Sequence, residues 1–202
     1  MMRAYVQQSL LVLLGLVLLG SIALGLKAIA PEATLDEVIR EGGPAAAVRG
    51  SVLSESPPTR LRIPAIGVDT SFVTLGIDEN REIEVPKSFT EVGWYEYGPT
   101  PGELGPAVVL GHVDSYEGPA VFFSLGQLRA GDRIEIDRED GSTAVFEVKT
   151  SERYPQSNFP TSLVYGDIDH AGLRLITCSG SYDYQSLRYD QNLVVYAELV
   201  EG

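Results

Sequence analysis

The sequence predicts a mostly all-β domain, a closed barrel or sandwich of eight short strands with short helical turns, behind an N-terminal transmembrane helix. Three observations predict it. From residue 60 onward, apolar and polar residues alternate over short runs broken by Gly, Pro and Asp/Asn clusters. Long runs of helical period are absent from the same region, which disfavours α/β and helical classes. And the 18 residues from Ser9 to Leu26 carry no charge at all.

Taken in order, residues 1–30 read as the membrane anchor. Arg3 lies ahead of the apolar run and Lys27 directly follows it. Eighteen residues are near the lower limit for a bilayer-spanning helix, and Ala28-Ile29-Ala30 extend the run if Lys27 snorkels. A cleavable signal peptide competes, because Ala28-Ile29-Ala30 resembles a cleavage site. Pro31 would then follow the cut, where it is poorly tolerated, so an uncleaved single-pass anchor is favoured. Its N-terminus would face the cytoplasm and the bulk of the chain the outside of the cell membrane. Residues 31–58 read as a flexible stalk: Glu41 to Pro58 is rich in Gly, Pro, Ala and Ser with little periodicity.

The folded domain is expected over residues 59–202. Arg60 to Ile63 alternates, and Pro64 and Gly67 then turn the chain. Asp69 to Leu75 and Glu82 to Val85 are the next expected strands. Ala107 to Leu110 is a continuous apolar run, suited to a strand buried on both faces. Asp132 to Asp137 and Thr143 to Lys149 alternate around Glu139-Asp140-Gly141 and predict a hairpin. Leu173 to Thr177 and Leu193 to Leu199 complete the eight, with one helical turn near Val121 to Leu128.

Charge narrows the function. The net charge is −13, and the only basic residues among the first 30 are Arg3 and Lys27, so the acid surplus lies in the remainder. Nothing resembles a basic patch, which argues against nucleic acid. One cysteine and two scattered histidines show no ligand spacing, so no metal or other cofactor is expected. Asp137, Glu139 and Asp140 could hold Ca²⁺, but solvated acids of a hairpin turn are the better reading.

The single cysteine, Cys178, ends a strand-like run just before Ser179-Gly180. Alone in an extracytoplasmic chain it cannot form an internal disulfide, which leaves an inert residue, an intermolecular crosslink or a reactive thiol. His112 follows the Ala107–Leu110 run in the same way. Catalytic groups are often found where a rigid strand hands over to a loop. His170 lies in a polar loop and reads as surface. Cys with His is the minimal apparatus for thiol-based acyl transfer: the thiolate attacks a carbonyl and the imidazolium protonates the leaving amine. The intermediate needs oxyanion donors, and Arg188 is the only basic residue after Cys178. On residues alone Arg188 stays open between that role and a surface arginine paired with Asp183 or Asp190.

These residues resemble the sortases, the membrane-anchored cysteine transpeptidases of Gram-positive bacteria. Leu175-Ile176-Thr177-Cys178 matches four positions of a Thr-Leu-x-Thr-Cys motif, with Arg174 in place of its first Thr. Gly111-His112-Val113-Asp114 resembles the class F branch. So do Val92 to Tyr95 with Gly98-Pro99 and Pro101-Gly102, and Gly118 to Phe122. Phe159-Pro160-Thr161, Val164-Tyr165-Gly166 and Asn192 to Ala197 extend the resemblance, which covers about residues 60–200.

The resemblance implies a closed eight-stranded sortase-type barrel. It implies Cys178 as the nucleophile on the Thr–Gly bond of a Leu-Pro-x-Thr-Gly-type sorting signal, and His112 as the acid and base toward leaving and incoming amines. Arg188 would hold substrate and stabilise the oxyanion, with Thr177 supporting either through its hydroxyl or its backbone. The family's arginine usually sits closer to the start of the final strand, so either a different register or a bulge bringing Arg188 inward is expected. Implied partners are surface proteins bearing sorting signals and an amine acceptor such as a cell-wall precursor or pilin lysine, with the enzyme a monomer. Two rivals remain: an inactive sortase-fold binding or scaffold barrel, and an L,D-transpeptidase-like crosslinker. The 66-residue gap from His112 to Cys178 disfavours the second.

Overall fold

Alternation along each strand closes a barrel over residues 58–201. A computed structural model describes residues 50–202; the expected anchor and most of the expected stalk lie outside them. The strands are β1 (Pro58–Ile63), β2 (Val68–Leu75), β3 (Val92–Tyr95), β4 (Gly105–Leu110), β5 (Asp114–Ser115), β6 (Gly118–Pro119), β7 (Arg133–Arg138), β8 (Thr143–Pro155), β9 (Ala171–Asp183) and β10 (Arg188–Glu201). One short helix, α1 (Thr161–Tyr165), and three 3₁₀ turns connect them. Eight strands close in the order β1-β2-β3-β4-β9-β10-β8-β7, while β5 and β6 form a separate two-stranded ribbon.

The barrel interior is filled from every side. Leu61 and Ile63 of β1, Ile134 and Ile136 of β7, Phe146 of β8 and Leu173 and Leu175 of β9 are fully buried in one cluster. Each such side chain contributes about 1.5–3 kcal/mol by leaving water. The outer face carries ion pairs such as Arg60 with Asp69 and Arg62 with Glu135 and Asp137. An exposed pair such as Arg60 with Asp69 contributes about 0–1 kcal/mol and the half-buried Arg62–Asp137 pair somewhat more, so interior packing dominates. A second cluster, Val108, Val164, Ile176 and Val194, lies on the outer face of β4, β9 and β10, where Phe159 and Tyr165 cover it.

Two expectations are corrected. Glu82 to Val85 is not a strand: only Ile83 bridges, to Ile77, and Val85 is 61% exposed. Alternation there has no buried face to serve. The strand between β2 and β4 is instead β3, which runs parallel to β2 with Val73 opposite Gly93. A Cβ on Gly93 would overlap the Leu75 side chain, so close approach of the two strands requires glycine there. The second correction concerns the stalk. Its last residues, Leu53 to Pro58, join the folded domain: the Leu53 amide donates to Gly102 O at 2.8 Å, and the buried Ser56 donates its amide to Thr100 Oγ1 at 3.0 Å. The predicted hairpin of β7 and β8 forms with Asp137 opposite Thr143. The expected helical turn is the 3₁₀ turn Leu125–Gln127.

Candidate active site

β4 and β9 run parallel, and Leu110 pairs with Ile176. His112 and Cys178 each stand two residues further along, so strand register brings both to one end of the barrel. The ladder ends there, where the Gly111 amide donates to Ile176 O at 3.1 Å. A cleft of about 1020 Å³ opens at this end, lined by Cys178, His112, Thr177 and Arg188 together. The four site residues expected from the sequence therefore share one cavity.

Cys178 lies on the outward face of β9 with Ile176, because successive side chains alternate across a strand. It is half-buried and free. Burial pushes its thiol pKa up, and the nearby Asp114 carboxylate pushes it further, since both oppose a thiolate. The resting group is accordingly a thiol at neutral pH.

His112 is held by its surroundings. Its Nε2 lies 2.7 Å from Pro86 O. A carbonyl only accepts, so Nε2 carries the proton in the neutral ring and Nδ1 keeps the lone pair. The ring packs against Phe89, centroids 4.7 Å apart at 51°. Gly111, just before it, has no room for a side chain: a Cβ would meet the buried Phe122 ring at 2.6 Å. His170 is elsewhere. It is not plain surface, since its ring is largely buried, 2.9 Å from Asp169 and 3.6 Å from Glu198.

Arg188 opens β10 opposite Asp183. The pairing passes from Gln191 opposite Ser179 to Tyr189 opposite Tyr182, so Gly180 and Ser181 together face Asp190. Of the two expected alternatives the strand pair holds a bulge, with its extra residue on β9. Gly180 supplies the positive φ of 84°, and Asp190 Oδ1 accepts from the Ser181 amide at 2.7 Å.

Thr177 lines the cleft, but alternation turns its side chain toward the interior with Leu173 and Leu175. Its Oγ1 is buried without a hydrogen-bond partner. The hydroxyl thus lies on the strand face opposite Cys178. Arg174, where the motif has Thr, is buried, with its guanidinium 4.6 Å from the Tyr196 ring centroid and donating to Leu173 O. Burial lowers its pKa. It packs the strand face below the cleft.

Other wall residues escaped sequence reasoning. Arg81, Val85 and Pro86 come from the β2–β3 connection, and Tyr95, Leu110, Phe159, Tyr165 and Ile176 form an apolar side. The signal for Phe159 and Tyr165 was present in the motifs that hold them; nothing local marked Pro86 or Phe89. Among the described residues, no three His, Cys, Asp or Glu side chains converge as metal ligands. Asp137 is engaged by Arg62 and Thr143, and Asp140 by Arg138 and Ser142.

The arrangement is a half-buried thiol, an oriented imidazole and an arginine around one cavity. Solved structures share its barrel. Sortase A from Corynebacterium diphtheriae, in a lid mutant, is 22% identical over 74% of this chain and 73% of that one, with a TM-score of 0.57. Sortase C-1 from Actinomyces oris is 22% identical over 71% and 73%, TM-score 0.54. A Clostridium perfringens sortase D5 transpeptidase is 21% identical over 72% and 79%, TM-score 0.53. No curated protein matches in sequence. The family model for the sortase domain matches residues 61–200, and the chain therefore belongs to the sortase family.

Proposed function

We propose that this sortase is a class F-like, membrane-anchored cysteine transpeptidase that cleaves the Thr–Gly bond of Leu-Pro-x-Thr-Gly-type signals. It transfers the threonyl acyl group to an amine at the cell surface. The observation that carries the reading is the convergence of Cys178, His112 and Arg188 on one cleft. The Gly-His-Val-Asp segment ending at Asp114 supports the class.

The chemistry follows from the groups present. His112, through Nδ1, takes the Cys178 proton, and the thiolate sulfur bonds the threonine carbonyl carbon. Arg188 donates to the oxyanion. As the C–N bond breaks, the imidazolium gives its proton to the departing glycine amine, leaving a thioester. An incoming amine then attacks the thioester and loses a proton to His112, and as the C–S bond breaks the imidazolium returns that proton to the sulfur, restoring the thiol. With Cys178 held as a thiol at rest, only the minor thiolate–imidazolium population reacts. Thr177 acts through its backbone, since its hydroxyl is turned inward.

The test uses the purified full-length chain in detergent with a panel of Leu-Pro-x-Thr-Gly peptides. Thr–Gly cleavage and an acyl-enzyme mass are expected, both absent in Cys178→Ala. If neither appears with any peptide while Cys178 remains alkylatable, a sortase-fold binding protein becomes the better reading.

A further inference from the structure

Asp114 stands two residues beyond His112, at the start of the β5–β6 ribbon, and Tyr189 stands one residue beyond Arg188 on β10. The two are 75 residues apart in sequence, yet the Tyr189 hydroxyl donates to Asp114 Oδ2 across the mouth of the cleft. What this bond holds is otherwise loosely held. Residues 180–188, the end of the β9–β10 hairpin that carries Arg188, are exposed throughout. Their other side-chain contacts stay within the hairpin: Asp190 with Ser181, Asp183 with Gln185 and Ser186, and Tyr182 stacked edge-on against Tyr184 and Tyr189, each at 5.1 Å. Leu187, at its tip, has a φ of 57°, a strained value for a branched side chain. Among the described residues, the Tyr189–Asp114 bond is the one side-chain hydrogen bond, ion pair or ring contact joining residues 180–190 to the rest of the domain.

We infer that Asp114 and Tyr189 form a latch that positions Arg188 over Cys178 by tying the hairpin tip to the histidine side of the cleft. An arginine on an untethered tip must be ordered each time substrate binds, and every ordered side chain or loop residue subtracts from binding and catalysis. Fixing the backbone one residue from Arg188 removes that cost in advance. Both are positioning residues: they act through Arg188. The inference rests on the proposed transpeptidase reading only for Arg188's role; the tether itself does not depend on it.

The test has two readouts on the full-length chain in detergent. The first is backbone amide exchange over residues 180–190, which needs no substrate. Tyr189→Phe, which removes one hydroxyl, is expected to speed exchange there about tenfold while leaving β4 and residues 171–178 of β9 unchanged. The second is peptide cleavage. Tyr189→Phe and Asp114→Ala are each expected to lower kcat/KM about tenfold, chiefly through kcat. Asp114→Asn, which keeps an acceptor oxygen, recovers most of the loss. In an Arg188→Ala background Tyr189→Phe costs nothing further, because the residue it positions is gone. Unchanged exchange in Tyr189→Phe overturns the latch. So does an undiminished Tyr189→Phe penalty in the Arg188→Ala background. If exchange rises as expected but the parent chain cleaves no peptide, the tether stands and the proposed reaction is what fails.

Discussion

His112 and Cys178 stand at equal offsets, each two residues past the Leu110–Ile176 pair, His112 just beyond the end of β4 and Cys178 within its parallel neighbour β9. Parallel strands lie about 4.8 Å apart and end on the same side of a sheet, so residues at equal offsets emerge together. The 65 residues between them in sequence do not keep them from lining one cleft.

Arg188→Ala is expected to reduce kcat/KM by about 10²–10³, the usual cost of an oxyanion donor. Arg188 is exposed and makes no core contact, so the melting temperature should stay within about a degree of the parent value, as for surface substitutions generally. Steady-state cleavage of a Leu-Pro-x-Thr-Gly peptide beside thermal unfolding separates the two. Near-normal turnover removes Arg188 from the site.

The thiol should titrate late. Burial first and the Asp114 charge second push Cys178 above an ordinary cysteine, so alkylation by iodoacetamide should rise with pH along a curve displaced above that of a free cysteine. Asp114→Asn removes the negative charge beside the thiol and should move the curve to lower pH. The Tyr189 hydroxyl, pushed up to about 12 chiefly by donating to Asp114, stays neutral over this range. A curve unmoved by Asp114→Asn would mean that the carboxylate does not act on the sulfur.

Gly111→Ala should damage activity more than stability. Its new methyl meets the Phe122 ring, whose backbone amide donates to His112 O at 2.9 Å. Moving the ring therefore moves the histidine backbone. Overpacking costs about 1–3 kcal/mol, while a displacement of order 1 Å at a catalytic group costs about 10²-fold. Denaturant unfolding and kcat measured on the same preparation test the ratio.

Acid should unlock the barrel's outer face between β1 and β7. Asp137 is held at about 2, first by its hydrogen bonds from Arg62 and then by Thr143, against the opposing effect of burial. A carboxylate with a lowered folded pKa stabilises above its unfolded value of about 3.9 and loses that contribution as pH falls toward the folded one. Allowing for partial exposure, Asp137→Asn should cost about 1–2 kcal/mol at pH 7 and almost nothing near pH 2. An equal cost at both pH values would place the effect in packing rather than charge.

How much was legible follows from the range of each signal. The strand-end placement of Cys178 and His112 and the β7–β8 hairpin were readable because the information is local: a strand end, a turn, an alternating run. The closure of β1 on β7 was not, since Leu61 opposite Ile136 is a pairing no neighbouring residue announces. Glu82 to Val85 looked like a strand because it alternates, and Val92 to Tyr95 did not because glycine interrupts it. Burial reversed that ranking: Val92 is fully buried while Val85 faces solvent. The turned-in hydroxyl of Thr177 follows from strand phase, which was available, but only once the interior face of β9 was known. Pro86 and Phe89 on either side of His112 carry no sequence mark at all, because their contribution is a carbonyl and a ring face delivered by the β2–β3 connection.

β9 sits between β4 and β10 in the closed order, and this governs when the residues of the cleft come together. A chain growing from its N-terminus completes the histidine strand long before the cysteine strand exists. Even then β9 must slide in beside β4, and the arginine arrives only with β10. The proposed chemistry therefore needs β9 seated between β4 and β10, so its parts meet only in the closed barrel.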